Sequence, residues 1–248
     1  MRQLLIFSAA GVAGAINSVA GGGTLLSFPA LLWLGMPAVA ANATNTIALL
    51  PGSLGSAWGY RRELRGTEQR LYVLAAPSFV GGLIGAILLH RTPDAVFERI
   101  VPALVLSATC LFLAQEAIQR RIKSTGSGEV AWLFWAVLFQ FIVGVYGGYF
   151  GAGIGILMLA ALGLMGYTDI HHMNGIKSVL AVCVNGIAAA YFAVAGLVVW
   201  SDAAVMAAGA VAGGIAGASV ARTLGRSTVR VVVVVIGFTM GLSLMFRW

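Results

Sequence analysis

The segment Asn17–Pro29, NSVAGGGTLLSFP, decides the fold. It separates LLIFSAAGVAGAI (Leu4–Ile16) from ALLWLG (Ala30–Gly35), two apolar runs that would otherwise read as one hydrophobic helix. Three consecutive glycines beside an asparagine and a serine break that helix where a membrane span would be deepest. Irregular backbone at that depth leaves N–H and C=O groups that lipid cannot satisfy, so it must be buried in protein or line a cavity.

The rest of the composition puts this break inside a bilayer. The chain is 60% hydrophobic and 9% charged over 248 residues, with a mean hydropathy of +0.95. Soluble domains carry roughly one-quarter charged residues. Several apolar runs approach the ~20 residues needed to cross the hydrocarbon core, with only short polar connectors between them. The sequence therefore predicts an all-α polytopic membrane protein. The formal charge of +7 has no basic-aromatic module to carry it, which excludes nucleic acid as a partner and leaves the arginines as reporters of topology. Cys110 and Cys183 lie in separate apolar runs without metal-ligand spacing, and both are read as small buried hydrophobes. The opening MRQLLIFSAAGVAGA imitates a secretory signal. A similar segment recurs in mid-chain, so the reading here is a retained hairpin.

That recurrence is one part of a weak internal repeat. AGGGTLLSFPALLWLGMP (Ala20–Pro37) matches FGAGIGILMLAALGLMGYT (Phe150–Thr168) with one residue inserted. NATNT (Asn42–Thr46) falls on NGIKS (Asn174–Ser178) at an offset of 132, and GGLIGA (Gly81–Ala86) falls on GGIAGA (Gly213–Ala218) at the same offset. Each half contains a glycine-broken segment, at 4–35 and 131–166, followed by three longer ones. These run over 40–60, 71–89 and 97–118 in the first half, and over 172–199, 203–221 and 229–246 in the second. Residues 1–118 form the first repeat, 119–130 a cytoplasmic linker containing QRRIKSTGSGE, and 131–248 the second repeat.

Charge sets the orientation. Placing the loop with Arg61, Arg62, Arg65 and Arg70, the linker with Arg120, Arg121 and Lys123, and the loop with Arg222, Arg226 and Arg230 in the cytoplasm gives ten basic residues inside. Arg2, Arg91, Arg99 and Arg247 remain outside. This works only if each broken segment returns to the side from which it entered. Each half then has three complete crossings, an odd number, so the second half is inverted relative to the first. Paired interrupted helices in inverted repeats point to the binding site of a secondary transporter.

The candidate site follows. Asn17, Ser18, Gly21, Gly22, Gly23 and Thr24 form a turn that lets a ligand approach the backbone, and the half-helix starting near Thr24 would present free N–H groups and a positive dipole end to an anion. YGGYFGAGIG (Tyr146–Gly155), with Gly151 and Gly153, offers the same from the opposite face. Close helix packing is the alternative use of these glycines, and it is the preferred one for Gly81, Gly85, Gly209, Gly213 and Gly217, which are spaced along single helix faces. GAGIG lacks the strand, spacing and acidic residue of a dinucleotide fingerprint.

At the start of the next helix in each half, Asn42, Thr44, Asn45 and Thr46 face Asn174, Lys177 and Ser178 in the alignment. Amides and hydroxyls can donate hydrogen bonds to oxyanions. An ammonium within a span needs a cavity or partner, so Lys177 is read as attracting substrate or carrying a coupled proton; snorkelling to the interface is the alternative. Asp169, His171 and His172 fall short of a closed zinc site and read as a solvated helix entrance, so no metal and no cofactor are expected. His90 reads as an ordinary loop-end residue. All eight carboxylates, from Glu63 to Asp202, fall in loops or near span ends, which disfavours cation transport. No nucleophile and base share adjacent helix faces, so the chain is not read as an enzyme.

The two glycine-broken segments and their spacing to GGLIGA and GGIAGA resemble the sulfite exporter TauE/SafE family of bacterial membrane permeases, over essentially the whole chain. The resemblance implies a multi-pass protein of the bacterial cytoplasmic membrane whose paired glycine motifs and following polar helix starts surround the transport path. It implies a small sulfur-containing anion, such as sulfite or an organosulfonate, exported by alternating access. An anion channel and a proton-coupled importer of a compound such as thiosulfate remain alternatives. The second motif reads FGAGIG, which departs from an uninterrupted glycine run.

Overall fold

The computed structural model describes the backbone of all residues except 20–21, 65–67, 123–128, 166, 168, 225 and 247–248; side chains are in addition not described at 18–19, 68–70, 115–122, 129–133, 164, 170, 216–224, 226–230 and 232. The described residues form ten helices and no strand. They are α1 (Arg2–Val19), α2 (Thr24–Trp33), α3 (Ala38–Gly59), α4 (Glu68–Arg91), α5 (Asp94–Ile122), α6 (Glu129–Tyr149), α7 (Ile154–Leu164), α8 (Ile170–Val194), α9 (Trp200–Leu224) and α10 (Arg226–Met245). Three described stretches, Leu71–Arg91, Asp94–Ala114 and His171–Val194, are long and apolar enough to cross a membrane. Thr24–Trp33, Phe134–Tyr149, Ile154–Gly163, Trp200–Ile215 and Val233–Met245 are shorter apolar helices.

Both broken segments are pairs of helices, α1–α2 and α6–α7. The second members have 10 and 11 residues, which at 1.5 Å per residue is about half the hydrocarbon thickness.

Glycines set the helix contacts. A methyl group on Gly81 would lie 2.5 Å from the Phe141 carbonyl oxygen, and one on Gly85 would lie 2.7 Å from the Tyr149 nitrogen. The backbones of α4 and α6 therefore touch, in parallel register. Gly82 meets Val184, and the His90 ring reaches the Tyr191 hydroxyl at 2.8 Å, so α8 runs parallel to α4 as well. Since α6 and α8 start at the same end of the bundle, α7 must return to the end where α6 began.

Helices α1 and α9 make the same kind of close contact. Gly209 meets the Phe7 carbonyl and Gly213 that of Gly11, so α1 and α9 are parallel with backbones in contact. At one end Arg2 pairs with the fully buried Asp202 at 2.7 Å, and Gln3 donates to the same carboxylate at 2.9 Å. α3 runs antiparallel to α8, with Ser56 opposite Ser178 and Tyr60 beside Gly175. Its N-terminus is closed by Asp94, which accepts the Val39 N–H at 3.0 Å. The core behind these contacts is aromatic, with Phe28, Phe97 and Phe150 packed edge to face.

Two expectations change. The segment read as 172–199 ends as a helix at Val194, because Gly196 takes φ 70 and turns the chain before α9. Cys183 is buried as expected, but Cys110 is exposed: it lies on the outer surface of α5, which a lipid-facing helix keeps as apolar as its core side. Gly81, Gly85, Gly209 and Gly213 pack as expected; the surroundings of Gly217 lie outside the described residues.

Candidate functional site

The first turn is built around Gly22, whose φ of 123 only glycine adopts without strain. Asn17, at the end of α1, accepts the Gly22 N–H at 3.3 Å and so closes the turn. Helix α2 then begins at Thr24. A methyl on Gly23 would sit 3.0 Å from the Ala13 carbonyl carbon and 3.3 Å from the Asn17 Cβ, so this glycine allows α2 to start against α1. One turn further, the Ser27 hydroxyl lies 2.6 Å from Asn45 Oδ1 and 3.1 Å from the Gly23 carbonyl, with Ser27 and Asn45 both buried. Ser18 and Gly21 lie outside the described residues.

The second turn uses two left-handed glycines, Gly151 at φ 81 and Gly153 at φ 77, the latter capping α7. The Tyr146 hydroxyl donates to the Ala152 carbonyl at 2.8 Å and holds the turn from within. The Ile154 and Ile156 N–H groups at the start of α7 donate to the Gly151 and Gly153 carbonyls at 3.4 and 3.0 Å, so the turn itself takes up these donors and the end carries only the partial positive charge of the helix dipole.

Two helices flank this second turn. On α3, the Asn42 Nδ2 donates to the Tyr149 carbonyl at 3.1 Å, while its Oδ1 is buried with no partner among the described residues. On α8, the Lys177 stem lies against Gly155, where a methyl would be 3.3 Å from Cδ, and its Nζ donates to Asn174 Oδ1 at 2.8 Å. Ser178 bonds back to the Asn174 carbonyl at 2.8 Å and lies 3.0 Å from the Ser56 hydroxyl. Among the described residues the one ion pair is Arg2 with Asp202; no carboxylate stands within pairing distance of Lys177. A cation without a counter-charge beside the positive end of a helix is an arrangement suited to an anion.

The structure thus gathers Asn174, Lys177 and Ser178 on one side of the α6–α7 turn and Asn42 on the other. It does not join the two asparagine-rich starts into one cluster: Asn42 precedes Ser56 by fourteen residues along α3, about 20 Å of helix. Thr44 accepts the Val199 N–H at 3.1 Å and Thr46 bonds back to the Asn42 carbonyl at 2.8 Å. Asp169 caps α8 by accepting the His171 N–H at 2.9 Å, and His172 packs edge-on against Tyr167. Sequence reasoning missed Ser27, Ser56 and the contact role of Gly155. Gly155 carried a signal, as the last glycine of the interrupted run.

The family model described as "Sulfite exporter TauE/SafE" matches residues 6–244. The chain belongs to the sulfite exporter TauE/SafE family. It is 28% identical over 208 residues to a "Probable membrane transporter protein" of Haemophilus influenzae, covering 84% of this chain and 80% of that one. It is 31% identical over 213 residues to "Probable membrane transporter protein YfcA" of Escherichia coli K12, covering 83% and 75%. It is also 31% identical over 163 residues to "Probable membrane transporter protein ORF9" of a Sinorhizobium species, covering 65% and 61%. No solved structure matches the chain. Members of this family are multi-pass membrane transporters and not enzymes, and the helical apolar architecture described above agrees with that assignment.

Proposed function

We propose that the chain carries a small sulfur-containing anion, such as sulfite or an organosulfonate, out of the cytoplasm by alternating access between two inverted-topology repeats, 1–118 and 131–248, joined by the linker 119–130. The observation that carries the anion assignment is Lys177: an ammonium inside a span, against Gly155 in the first turn of α7, with an amide oxygen rather than a carboxylate as its partner. Asn42, Asn45, Asn174 and Ser178, together with the turns at Asn17–Thr24 and Gly151–Gly153, would form the walls of the path.

The repeat reading is supported by matched backbone contacts. Gly14 meets the Ala210 carbonyl and Gly144 that of Ser78; Gly213 meets the Gly11 carbonyl and Gly81 that of Phe141. Adding 130 to 14 and 11 gives 144 and 141, and subtracting 132 from 210 and 213 gives 78 and 81, the offsets of the sequence repeat. Export needs no coupling ion, since a negative-inside potential drives an anion outward by about 2.3 kcal/mol per charge per 100 mV.

The test is sulfite flux in proteoliposomes under an imposed potential, comparing the native chain with Lys177→Ala and Gly22→Leu. Saturable, potential-driven flux lost in both variants is the expected result. Undiminished flux in Lys177→Ala would overturn the site.

A further inference from the structure

Shifting the first half by 132 residues puts Asn45 on the position of Lys177. The two positions are filled in different ways. Asn45 is 2% exposed and is satisfied by the Ser27 hydroxyl at 2.6 Å, so the first half closes its version of the position with a neutral hydrogen bond. Lys177 directs its ammonium at Asn174 Oδ1 and lays its stem on Gly155. Of the fifteen lysines and arginines, the other fourteen fall in loops, the linker or the ends of helices, and Arg2 is spent on Asp202. The unpartnered acceptor at Asn42 adds no positive charge to the walls. Among the described residues, Lys177 is therefore the one cation beside the path.

We propose that the cargo is a singly charged anion, with Lys177 as its one counter-charge, and that dianions are excluded; this narrowing rests on the anion-carrier reading above. The cost of taking an ion out of water grows with the square of its charge, whereas attraction to one fixed cation grows only in proportion to it. Doubling the charge of the cargo thus multiplies the penalty by about four and the attraction by about two. The partial charge at the end of α7, equivalent to roughly half an elementary charge, falls off within the first turn and does not replace a second ammonium. Monosulfonates and singly protonated oxyanions satisfy the requirement, so sulfite is carried in its hydrogensulfite form.

The experiment measures equilibrium binding of labelled methanesulfonate and labelled sulfate to the purified full chain in lipid nanodiscs. The two probes are alike in size and differ in charge. The native protein is expected to bind methanesulfonate at least fivefold more tightly than sulfate. Asn174→Lys, which adds a second cation where Asn174 now meets the Lys177 ammonium, is expected to narrow that ratio at least threefold. A native ratio below fivefold would overturn the inference while leaving the anion carrier intact. A ratio unchanged in a folded Asn174→Lys would overturn it too, since the discrimination would then report the methyl group and not charge. Absence of binding by either probe would remove the anion-carrier reading itself.

Discussion

Replacing Gly148 by alanine tests whether the α4–α6 contact is as close as the glycines imply. A methyl at this position would lie 2.8 Å from the Gly82 carbonyl carbon and 2.9 Å from its Cα. Non-bonded carbons settle at about 3.5–4.0 Å. The helices must therefore separate by at least ~0.7 Å, and both sides of the contact are backbone, so no rotamer change can absorb the shift. Overpacking of this kind costs about 1–3 kcal/mol, against which alanine returns up to ~1 kcal/mol of helix propensity. Gly186 on α8 is the matched control, because a methyl there meets nothing within 4 Å. Thermal unfolding of the detergent-solubilised protein, followed by loss of the monodisperse peak, should place Gly148→Ala several degrees below native and Gly186→Ala at or above it. Equal midpoints for the two variants, or a stabilised Gly148→Ala, would refute the argument that these glycines set the interhelical distance.

Two further outcomes follow from other contacts. Asp202 is fully buried and held by Arg2, so Arg2→Ala strands a carboxylate and should lower the unfolding midpoint, whereas Asp202→Asn on top of it should recover most of the loss; a double variant no better than Arg2→Ala would show that the ion pair is not the source. In a background with Cys110 and Cys183 replaced, single cysteines at Arg62 and Arg226 should react with an impermeant thiol reagent from one face of the membrane and cysteines at Thr92 and Gly196 from the other, and labelling of Arg62 and Arg226 positions from opposite faces would defeat the inverted topology.

Much of the helix layout was legible because membrane helices are long and their interruptions are punctuated by glycine. The break at Asn17–Thr24 was readable from three adjacent glycines, and α2 indeed starts at Thr24. The end of α8 was not readable, since AGLVVW continues the apolar run and only the backbone at Gly196 reveals the turn. The exposure of Cys110 was hidden for a related reason: with lipid outside, a helix is apolar on both faces and its periodicity does not tell core from periphery. Ser27 was missed because most hydroxyls in such helices bond back to their own i−4 carbonyl, as Ser53, Ser78 and Thr109 do. Nothing local distinguishes the one that reaches across to Asn45. The pairing of α1 with α9 and of α6 with α4 joins residues roughly 200 and 60 positions apart, and the sequence marked only that small residues lined those faces.

The glycines of the opening motif and its counterpart separate into three physical kinds, and the division explains why the two motifs need not be spelled alike. Gly22, Gly151 and Gly153 occupy backbone conformations that side chains disfavour, so they make the turns. Gly23, like Gly81, Gly85 and Gly148, has an ordinary conformation and is constrained by a neighbouring backbone instead. Gly155 belongs to neither class: its nearest neighbour is the flexible stem of Lys177, which could move aside for a methyl group. Fold stability therefore gives little reason for glycine at this position, whereas the position of an ammonium against the start of α7 does. The interrupted spelling FGAGIG places two turn glycines first and the glycine that faces Lys177 last, and that order brings the Lys177 stem to the start of a half-helix.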